Sequence, residues 1–326
     1  MRSPQAAIPS HAVEIGLSAA IVSVAGEEPQ VLVIRRKGNR DALPFGPFDP
    51  LHHRTLESGL RSWVREQTYL GFDYAEQLYT FGDRGRHLIG EGESSRVVSV
   101  GYLALTRAIE PLQAPDTDWG GWYNYFPWED WRAGRPPVIQ QAITPALTAF
   151  SRAGSSRAQV EQRQTRARLC FGLDGLVWNE ERTLERYELL YEAGLVAEAV
   201  YDGRVPKARS SEAAAGTPML FDHRRILATA ISRLRGKMKY RPVVFDLMPP
   251  AFTLLALQRT VEAISGIRLH KQNFRRLVEE QGLVERTGKL SPSGRGRPAE
   301  LFRFRREVLN ERHAPGLRLG TRRTGF

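Results

Sequence analysis

The chain has 326 residues, a single cysteine and a formal net charge of +11. This length exceeds one ordinary hydrophobic core and predicts two or three domains, while a lone Cys170 excludes an internal disulfide framework and a cysteine-based zinc site and indicates a reducing compartment. Residues 200–326 hold 26 Lys and Arg against 11 Asp and Glu, so this part either binds a polyanion or carries a merely solvated basic tail.

The first section, residues 10–110, has the pattern of a mixed α/β domain. An apolar stretch at Ala12–Ala25 contains Glu14 and is too short to span a bilayer, which favours a buried strand in a cytoplasmic protein without a membrane partner. Gly26 separates it from a second β-branched run, as in a hairpin. The predicted elements are strands Ile15–Val24 and Gln30–Arg35, helix Leu56–Gln67, and strands Leu78–Phe81 and Val97–Thr106.

Residues 111–215 are predicted to be a partly helical connector. Apolar spacing favours a helix at Thr183–Gly194, and small polar residues make Val205–Thr217 the best linker candidate. Seven aromatic residues crowd into a short stretch that is either a packed connector or a ligand or dimer surface. They are Trp119, Trp122, Tyr123, Tyr125, Phe126, Trp128 and Trp131.

The last section, residues 216–310, has the order of a winged helix-turn-helix, and 311–326 form a basic tail. Asp222 and Thr253 can cap two helices, and Gly266 can end the second. The predicted elements are a helix starting after Asp222, a helix from Thr253 to Gly266, a helix at His270–Gln281, and strands Leu283–Arg286 and Leu301–Phe304.

The third of these helices has a cationic and amide-bearing side opposite its apolar side. Long cations reach guanine edges or phosphates, and an amide can pair with adenine. The following loop, Lys289–Pro298, would serve as a basic wing. The predicted DNA-binding residues are Lys271, Gln272, Asn273, Arg275, Arg276, Lys289, Arg295 and Arg297.

Residues 13–106 resemble a Nudix domain, and both ends of the chain resemble the Nudix-related transcriptional regulators of NAD metabolism, with a longer connector than their short members. In the first half the resemblance rests on Leu43-Pro44-Phe45-Gly46-Pro47-Phe48, Thr68-Tyr69-Leu70 and Tyr74–Asp83. In the second half it rests on Phe221-Asp222-His223, Leu234–Tyr240, Phe252-Thr253-Leu254, Leu257-Gln258, Asn273–Arg276, Arg297-Pro298-Ala299 and Leu301–Phe304. The implied fold class is α+β, with a Nudix-like α/β/α sandwich and a C-terminal winged helix-turn-helix.

The segment that matches the Nudix signature lacks most of its carboxylates. Ser62 and Trp63 stand where the family has Arg-Glu, Glu66-Gln67 stand for Glu-Glu, and Tyr69 replaces a glycine. Nudix hydrolysis needs several carboxylates to hold divalent metal, so we expect no enzyme, no catalytic residue and no catalytic cofactor. Adjacent His52-His53 lack a third ligand, and we expect no metal site there.

The resemblance implies a homodimeric repressor of NAD-related genes that binds palindromic double-stranded operator DNA. Its implied effector is an adenine nucleotide: NAD, ADP-ribose or ATP. By analogy with Nudix domains the effector-binding candidates are Arg35, Arg36, Phe45, Gly46, Asp83 and Arg96. Two alternatives stay open: a surviving pyrophosphohydrolase of ADP-ribose, and a sugar-responsive regulator. The identity of the effector, its role as inducer or co-repressor, and the operator are not predicted.

Overall fold

The computed structural model describes residues 13–36, 40–83, 96–107, 112–207, 215–291, 298–311 and 313–317. The strands are β1 Val13–Ala25, β2 Glu28–Arg36, β3 Arg40–Ala42, β4 Phe45–Pro47, β5 Tyr74–Phe81, β6 Arg96–Leu105, β7 Thr117–Gly121, β8 Val284–Leu290 and β9 Glu300–Phe304. The α-helices are α1 Leu56–Thr68, α2 Trp122–Tyr125, α3 Thr144–Arg152, α4 Arg157–Phe171, α5 Thr183–Glu192, α6 Glu198–Tyr201, α7 His223–Met238, α8 Leu254–Ser265, α9 Lys271–Glu280 and α10 Val308–Glu311.

A seven-stranded mixed sheet forms the first half of the chain. Its strand order is β3-β2-β1-β6-β5, with β4 paired to β1 and β7 paired to β2. The β1–β2 hairpin is antiparallel and turns at Gly26, whose φ of +63° is open to glycine at no steric cost. β1 and β6 run parallel along ten residue pairs at the centre of the sheet. The predicted hairpin, helix and later strands are therefore confirmed.

The sheet is covered by helices on both faces, as alternate residues of β1 demonstrate. Leu17, Ala19 and Ile21 belong to a core shared with α1, whereas Ala20 and Val22 belong to a core shared with α7. Because successive side chains of a strand point to opposite faces, a strand buried on both sides reads as a continuous apolar run. Helix α7, predicted as the first helix of the C-terminal domain, is thus also a layer of the α/β/α sandwich.

The aromatic stretch of the connector lies in the core. β7 pairs with β2 beyond the boundary at residue 110 that the sequence predicted. Trp122, Phe126 and Trp128 have no solvent-exposed surface, and Tyr125 keeps only 2%. Of the two interpretations of this stretch, the packed connector is the one that the burial supports.

The C-terminal section contains three helices followed by a two-stranded hairpin. Thr253 accepts a hydrogen bond from the Ala256 amide at 3.1 Å, and Gly266 ends α8 with φ +73°. Asp222 stands at the N-cap of α7, but its side chain does not cap the helix. Strand β9 is tied to the segment before α8 by reciprocal backbone hydrogen bonds between Phe252 and Phe302. This order confirms the predicted winged helix-turn-helix fold.

None of the helices in the described ranges is long and apolar enough to cross a lipid bilayer.

Candidate DNA-binding surface and nucleotide-sensing domain

Helix α9 presents a polar face to solvent because its apolar residues recur on the opposite side. Phe274 and Val278 are buried, at 3% and 0% exposure. Five of the predicted DNA-binding residues lie on the exposed side. They are Lys271, Gln272, Asn273, Arg275 and Arg276. The structure brings these five together on one helix, as a recognition helix would require.

The turn between α8 and α9, residues 266–270, is held by a buried carboxylate of α8. Glu262 Oε1 accepts a hydrogen bond from the Leu269 amide at 2.8 Å. Gln258 Nε2 donates to the same Glu262 oxygen at 2.8 Å and to the Leu269 carbonyl at 2.9 Å. This side-chain network fixes the direction in which α9 leaves the turn.

The wing follows α9 as the β8–β9 hairpin. Lys289 is exposed on β8, while Arg295 and Arg297 fall outside the described residues. A groove of about 250 Å³ separates the wing from the helices and includes two of the predicted DNA-binding residues in its walls. It is lined by Thr253, Leu254, Leu255, Gln258, Lys271, Arg275, Ala299, Glu300 and Phe302.

On α1, Trp63 and Gln67, which the sequence comparison aligned with signature carboxylates, bind the loop at residues 45–47. Gln67 Nε2 donates to the Phe45 carbonyl at 2.7 Å, and the Phe45 amide donates to Gln67 Oε1 at 3.1 Å. Trp63 Nε1 donates to the Pro47 carbonyl at 2.8 Å, and its ring lies directly against Gly46. A carboxylate at position 67 could accept the Phe45 amide but could not donate to its carbonyl. The neutral side chains of Trp63 and Gln67 therefore hold the loop at residues 45–47 against α1.

The other positions aligned with the signature, Ser62 and Tyr69, keep the backbone conformation of the helix and of its C-terminal end but carry no carboxylate. Tyr69 adopts the left-handed conformation at the end of α1, φ 58°, that the family's glycine would take without strain. Ser62 Oγ donates to the Ser58 carbonyl inside the helix. His52 Nδ1 lies 2.6 Å from Asp49. Within the described ranges, no group of three or more His, Cys, Asp or Glu is arranged to hold a metal ion.

The predicted effector-binding residues divide between two places. Arg35 is exposed near the end of β2 and contacts Asp118 of β7 at 2.6 Å and Asp41 at 3.9 Å. Arg36 and Arg96 occupy the ends of β2 and β6, and their side chains fall outside the described ones. Arg35 is thus an ion-paired strand-end residue in this structure.

Phe45 and Asp83 instead contact the start of α7. The Phe45 ring lies 4.9 Å from the His223 ring and 5.6 Å from the Phe221 ring, centroid to centroid. Asp83 forms an ion pair with Arg225. His223 Nδ1 also accepts a hydrogen bond from the Leu43 amide at 3.1 Å. The loop that the Nudix resemblance places at the nucleotide is therefore joined to a helix of the C-terminal section.

A buried charge cluster that the sequence did not reveal joins the connector to α5 and α7. Glu129, 1% exposed, accepts from Arg186 at 2.5 and 2.8 Å and from Arg235 at 2.5 Å. Thr183 Oγ1 lies 3.2 Å from the same carboxylate. Burial acts to raise the pKa of Glu129, but the two guanidinium groups outweigh it and hold the pKa below its ordinary value. No periodicity marks these residues, because the three elements are distant in sequence.

This geometry defines a class of protein: a two-part chain in which a mixed sheet covered by helices on both faces is packed against a winged helix-turn-helix whose third helix is basic and exposed. Residues 244–304 match the family described as the NrtR DNA-binding winged helix domain. A curated relative is the ADPR responsive transcriptional repressor NtrR of Acinetobacter baylyi, 44% identical over 86 residues. That match covers 26% of this chain and 34% of the relative, about a third of its length.

Solved structures with the same architecture extend over nearly the whole chain. The Shewanella oneidensis NrtR complexed with a 27mer DNA aligns with a TM-score of 0.53 and 19% identity, covering 91% of this chain and 95% of that one. A MutT/nudix family protein from Enterococcus faecalis aligns with a TM-score of 0.53 and 17% identity, covering 92% and 90%. The resemblance to Nudix-related transcriptional regulators and the α+β fold class are confirmed.

Proposed function

We propose that the protein is a DNA-binding transcriptional repressor whose affinity for its operator is controlled by ADP-ribose bound in the Nudix-type domain. The observation that carries the proposal is the exposed basic face of α9 within residues that match a DNA-binding winged helix family. The A. baylyi relative is described as responsive to ADP-ribose, which favours this effector over NAD and ATP. Genes of NAD metabolism are the targets that the sequence resemblance implies.

The pocket would bind nucleotide without hydrolysing it. Gln67 and Trp63 use their side chains to bind the loop at 45–47 instead of a metal ion. Loss of hydrolysis suits a sensor, because a ligand that is not consumed reports its own concentration. Arg35, Arg36, Phe45, Gly46, Asp83 and Arg96 stay the candidate effector contacts, and Lys271, Gln272, Asn273, Arg275, Arg276, Lys289, Arg295 and Arg297 the candidate DNA contacts.

The protein would act as a homodimer in the cytoplasm. Operators of helix-turn-helix proteins are palindromic because two recognition helices related by a twofold axis meet half-sites about one DNA turn apart. One α9 per chain supplies one such helix. Sedimentation of the purified protein with and without duplex would give the stoichiometry directly, and a single chain per bound site would contradict the dimer.

The experiment that tests the function is selection of duplex DNA from a random pool, followed by fluorescence anisotropy on the enriched sequence. The expected result is enrichment of a palindrome whose affinity changes when ADP-ribose is titrated at fixed salt. NAD and ATP are the matched nucleotide controls. A pool that acquires no sequence preference over several rounds would refute the DNA-binding function, whatever the nucleotide result.

A further inference from the structure

The turn of the β1–β2 hairpin contacts the C-terminal section through one carboxylate. Glu27 lies 2.8 Å from Arg268 Nη1 and 3.3 Å from Arg259 Nε. Arg259 belongs to α8, and Arg268 belongs to the turn between α8 and α9. The two arginines are half-exposed, and Glu27 keeps 35% of its side-chain surface. We call these three residues the hairpin cluster.

The hairpin cluster reaches the start of α9 through Glu262. Arg268 Nη1 bridges Glu27 and Glu262, at 2.8 Å to each. Glu262 in turn accepts the Leu269 amide, two residues before α9 begins. A displacement of the hairpin turn would therefore move Arg268 and Glu262, and Glu262 holds the Leu269 amide just before α9.

The connector contacts the other side of the same turn. The Trp131 amide donates to the Gly266 carbonyl at 2.8 Å. Arg132 donates to the Glu27 carbonyl and stacks on the Tyr123 ring at 4.9 Å. The Tyr123 hydroxyl donates to the Ala263 carbonyl of α8 at 2.6 Å. The α8–α9 turn thus lies between the connector, which contacts α8 through the buried Tyr123 hydroxyl, and the hairpin, whose contacts are half-exposed ion pairs.

The contacts on the two sides of this turn differ in the free energy that is lost when they break. Solvent-accessible ion pairs such as these half-exposed ones contribute little to stability and break at small cost, whereas breaking a buried hydrogen bond of the connector leaves a buried polar group unsatisfied and costs more. The hairpin side is consequently the adjustable one. Strand β2 starts after this hairpin turn and ends at Arg36, and Arg35 next to its end is a candidate effector contact, so a single strand connects the two positions.

From this arrangement we infer that Glu27 is a positioning residue for the recognition helix, through which the effector-bound state of the Nudix-type sheet is transmitted to α9. The inference rests on the proposed function. It assigns a task to a carboxylate outside both the DNA-binding face and the nucleotide pocket. Glu28, the first residue of β2, pairs with Arg132 of the connector at 3.0 Å and, among the described ion pairs, with neither arginine of the hairpin cluster.

The first test measures backbone hydrogen exchange of the full chain without DNA or nucleotide. Glu27→Ala and Glu27→Lys are compared with Glu28→Ala, which removes the same charge from the adjacent residue at the start of β2. We expect faster exchange in residues 266–271 for both Glu27 variants, with Glu27→Lys the larger effect because a third cation would face Arg259 and Arg268. Exchange in this segment equal to that of Glu28→Ala would overturn the inference.

The second test uses the selected operator and ADP-ribose. The factor by which ADP-ribose changes operator Kd should shrink by about twofold to fivefold in Glu27→Ala, the range that exposed ion pairs can supply, and stay at the wild-type value in Glu28→Ala. An undiminished factor in Glu27→Ala would show that transmission takes another route. If the wild-type protein binds no duplex, the proposed function fails, while hydrogen exchange still decides whether Glu27 positions the α8–α9 turn.

Discussion

At the scale of single residues, Glu129 is a buried carboxylate that pairs with two buried arginines. Glu129→Gln would leave Arg186 and Arg235 buried without their counter-charge. Removing one partner of a buried ion pair typically costs about 3 to 5 kcal/mol. We expect a loss of that order in the free energy of unfolding, measured by urea denaturation. Glu161→Gln, which breaks the exposed pair with Arg157, should stay within about 1 kcal/mol of wild type.

The same carboxylate makes stability depend on pH in a defined direction. The pKa of Glu129 is held below its ordinary value of 4.5 in the folded chain by Arg186 and Arg235. Its contribution is therefore fully present above that ordinary value and is lost as the pH falls from it through the folded value. In Glu129→Gln, the free energy of unfolding should fall less steeply than in the wild type as the pH is lowered through the acidic range. An unchanged slope would contradict the assignment.

The residues of the degenerate signature predict an absence of turnover. With ADP-ribose or NAD and either Mg²⁺ or Mn²⁺, the purified protein should release no product at an enzymatic rate. A turnover of about 1 per second or more, ordinary for enzymes, would contradict this. Restoring a single acid by Gln67→Glu should not create activity, since the Phe45 carbonyl would lose its donor and Trp63 would still cover Gly46.

That Trp63 and Gln67 are not acids is evident from the sequence, but the contacts that these two side chains make could not be predicted from it. A signature alignment shows that Trp63 and Gln67 are not carboxylates. It does not show that Gln67 binds both backbone groups of Phe45, because that pairing depends on the distance between α1 and a loop 22 residues away. The same holds for Asp83, which pairs with Arg225 across 142 residues.

At the scale of secondary-structure elements, α9 carries the clearest prediction. Arg275→Ala or Arg276→Ala should weaken operator binding without unfolding the domain, because both side chains are exposed, whereas Phe274 and Val278 form the buried side of the helix. A lost base contact is worth about 1 to 3 kcal/mol. Arg157→Ala, an exposed arginine of α4, is the charge-matched control. Gel shifts unchanged for both α9 variants would rule out this helix as the reader of DNA.

The end of α8 carries a second prediction. Gly266 has φ +73°, and a Cβ there would lie 2.5 Å from the Glu129 carbonyl oxygen. Gly203 has φ +68° with nothing within 4 Å of a Cβ. Both alanine variants bear the strain of the left-handed conformation, of order 1 kcal/mol, and only Gly266→Ala adds the clash. Its melting temperature should therefore fall further than that of Gly203→Ala. Equal shifts would mean that the connector is not in close steric contact with this turn.

Elements with a clear apolar period were predictable, and those without one were not. Helices α1, α8 and α9 have an apolar stripe and cap residues, and their predicted bounds agree with the structure within a few residues. Helix α4 has charged and amide residues all around, and only Ser156 marks its start by capping Gln159. Strand β7, Thr117–Gly121, contains two glycines and a single β-branched residue, which is unlike a strand pattern.

At the scale of the whole molecule, nucleotide and DNA should affect each other reciprocally. If ADP-ribose changes operator affinity, the operator must change ADP-ribose affinity by the same factor. Coupling of about 1 to 3 kcal/mol would give a factor of about 5 to 150. Calorimetric titration of ADP-ribose into free protein and into the protein–operator complex measures the second side of the cycle. Two unequal factors would mean that the bound states differ in something besides these ligands, such as assembly.

Helix α7 belongs to two layers at once, and this limits how the protein can be divided. One of its sides covers the sheet, where Gly101 lets Ile226 approach to within contact of the strand, and the same helix contacts α8. Cutting the chain before residue 216 would strip the sheet of a layer and expose its apolar face. The sheet domain and the winged helix-turn-helix are therefore not interchangeable modules, because a chimera that takes this winged helix-turn-helix must also supply a sheet against which α7 can pack.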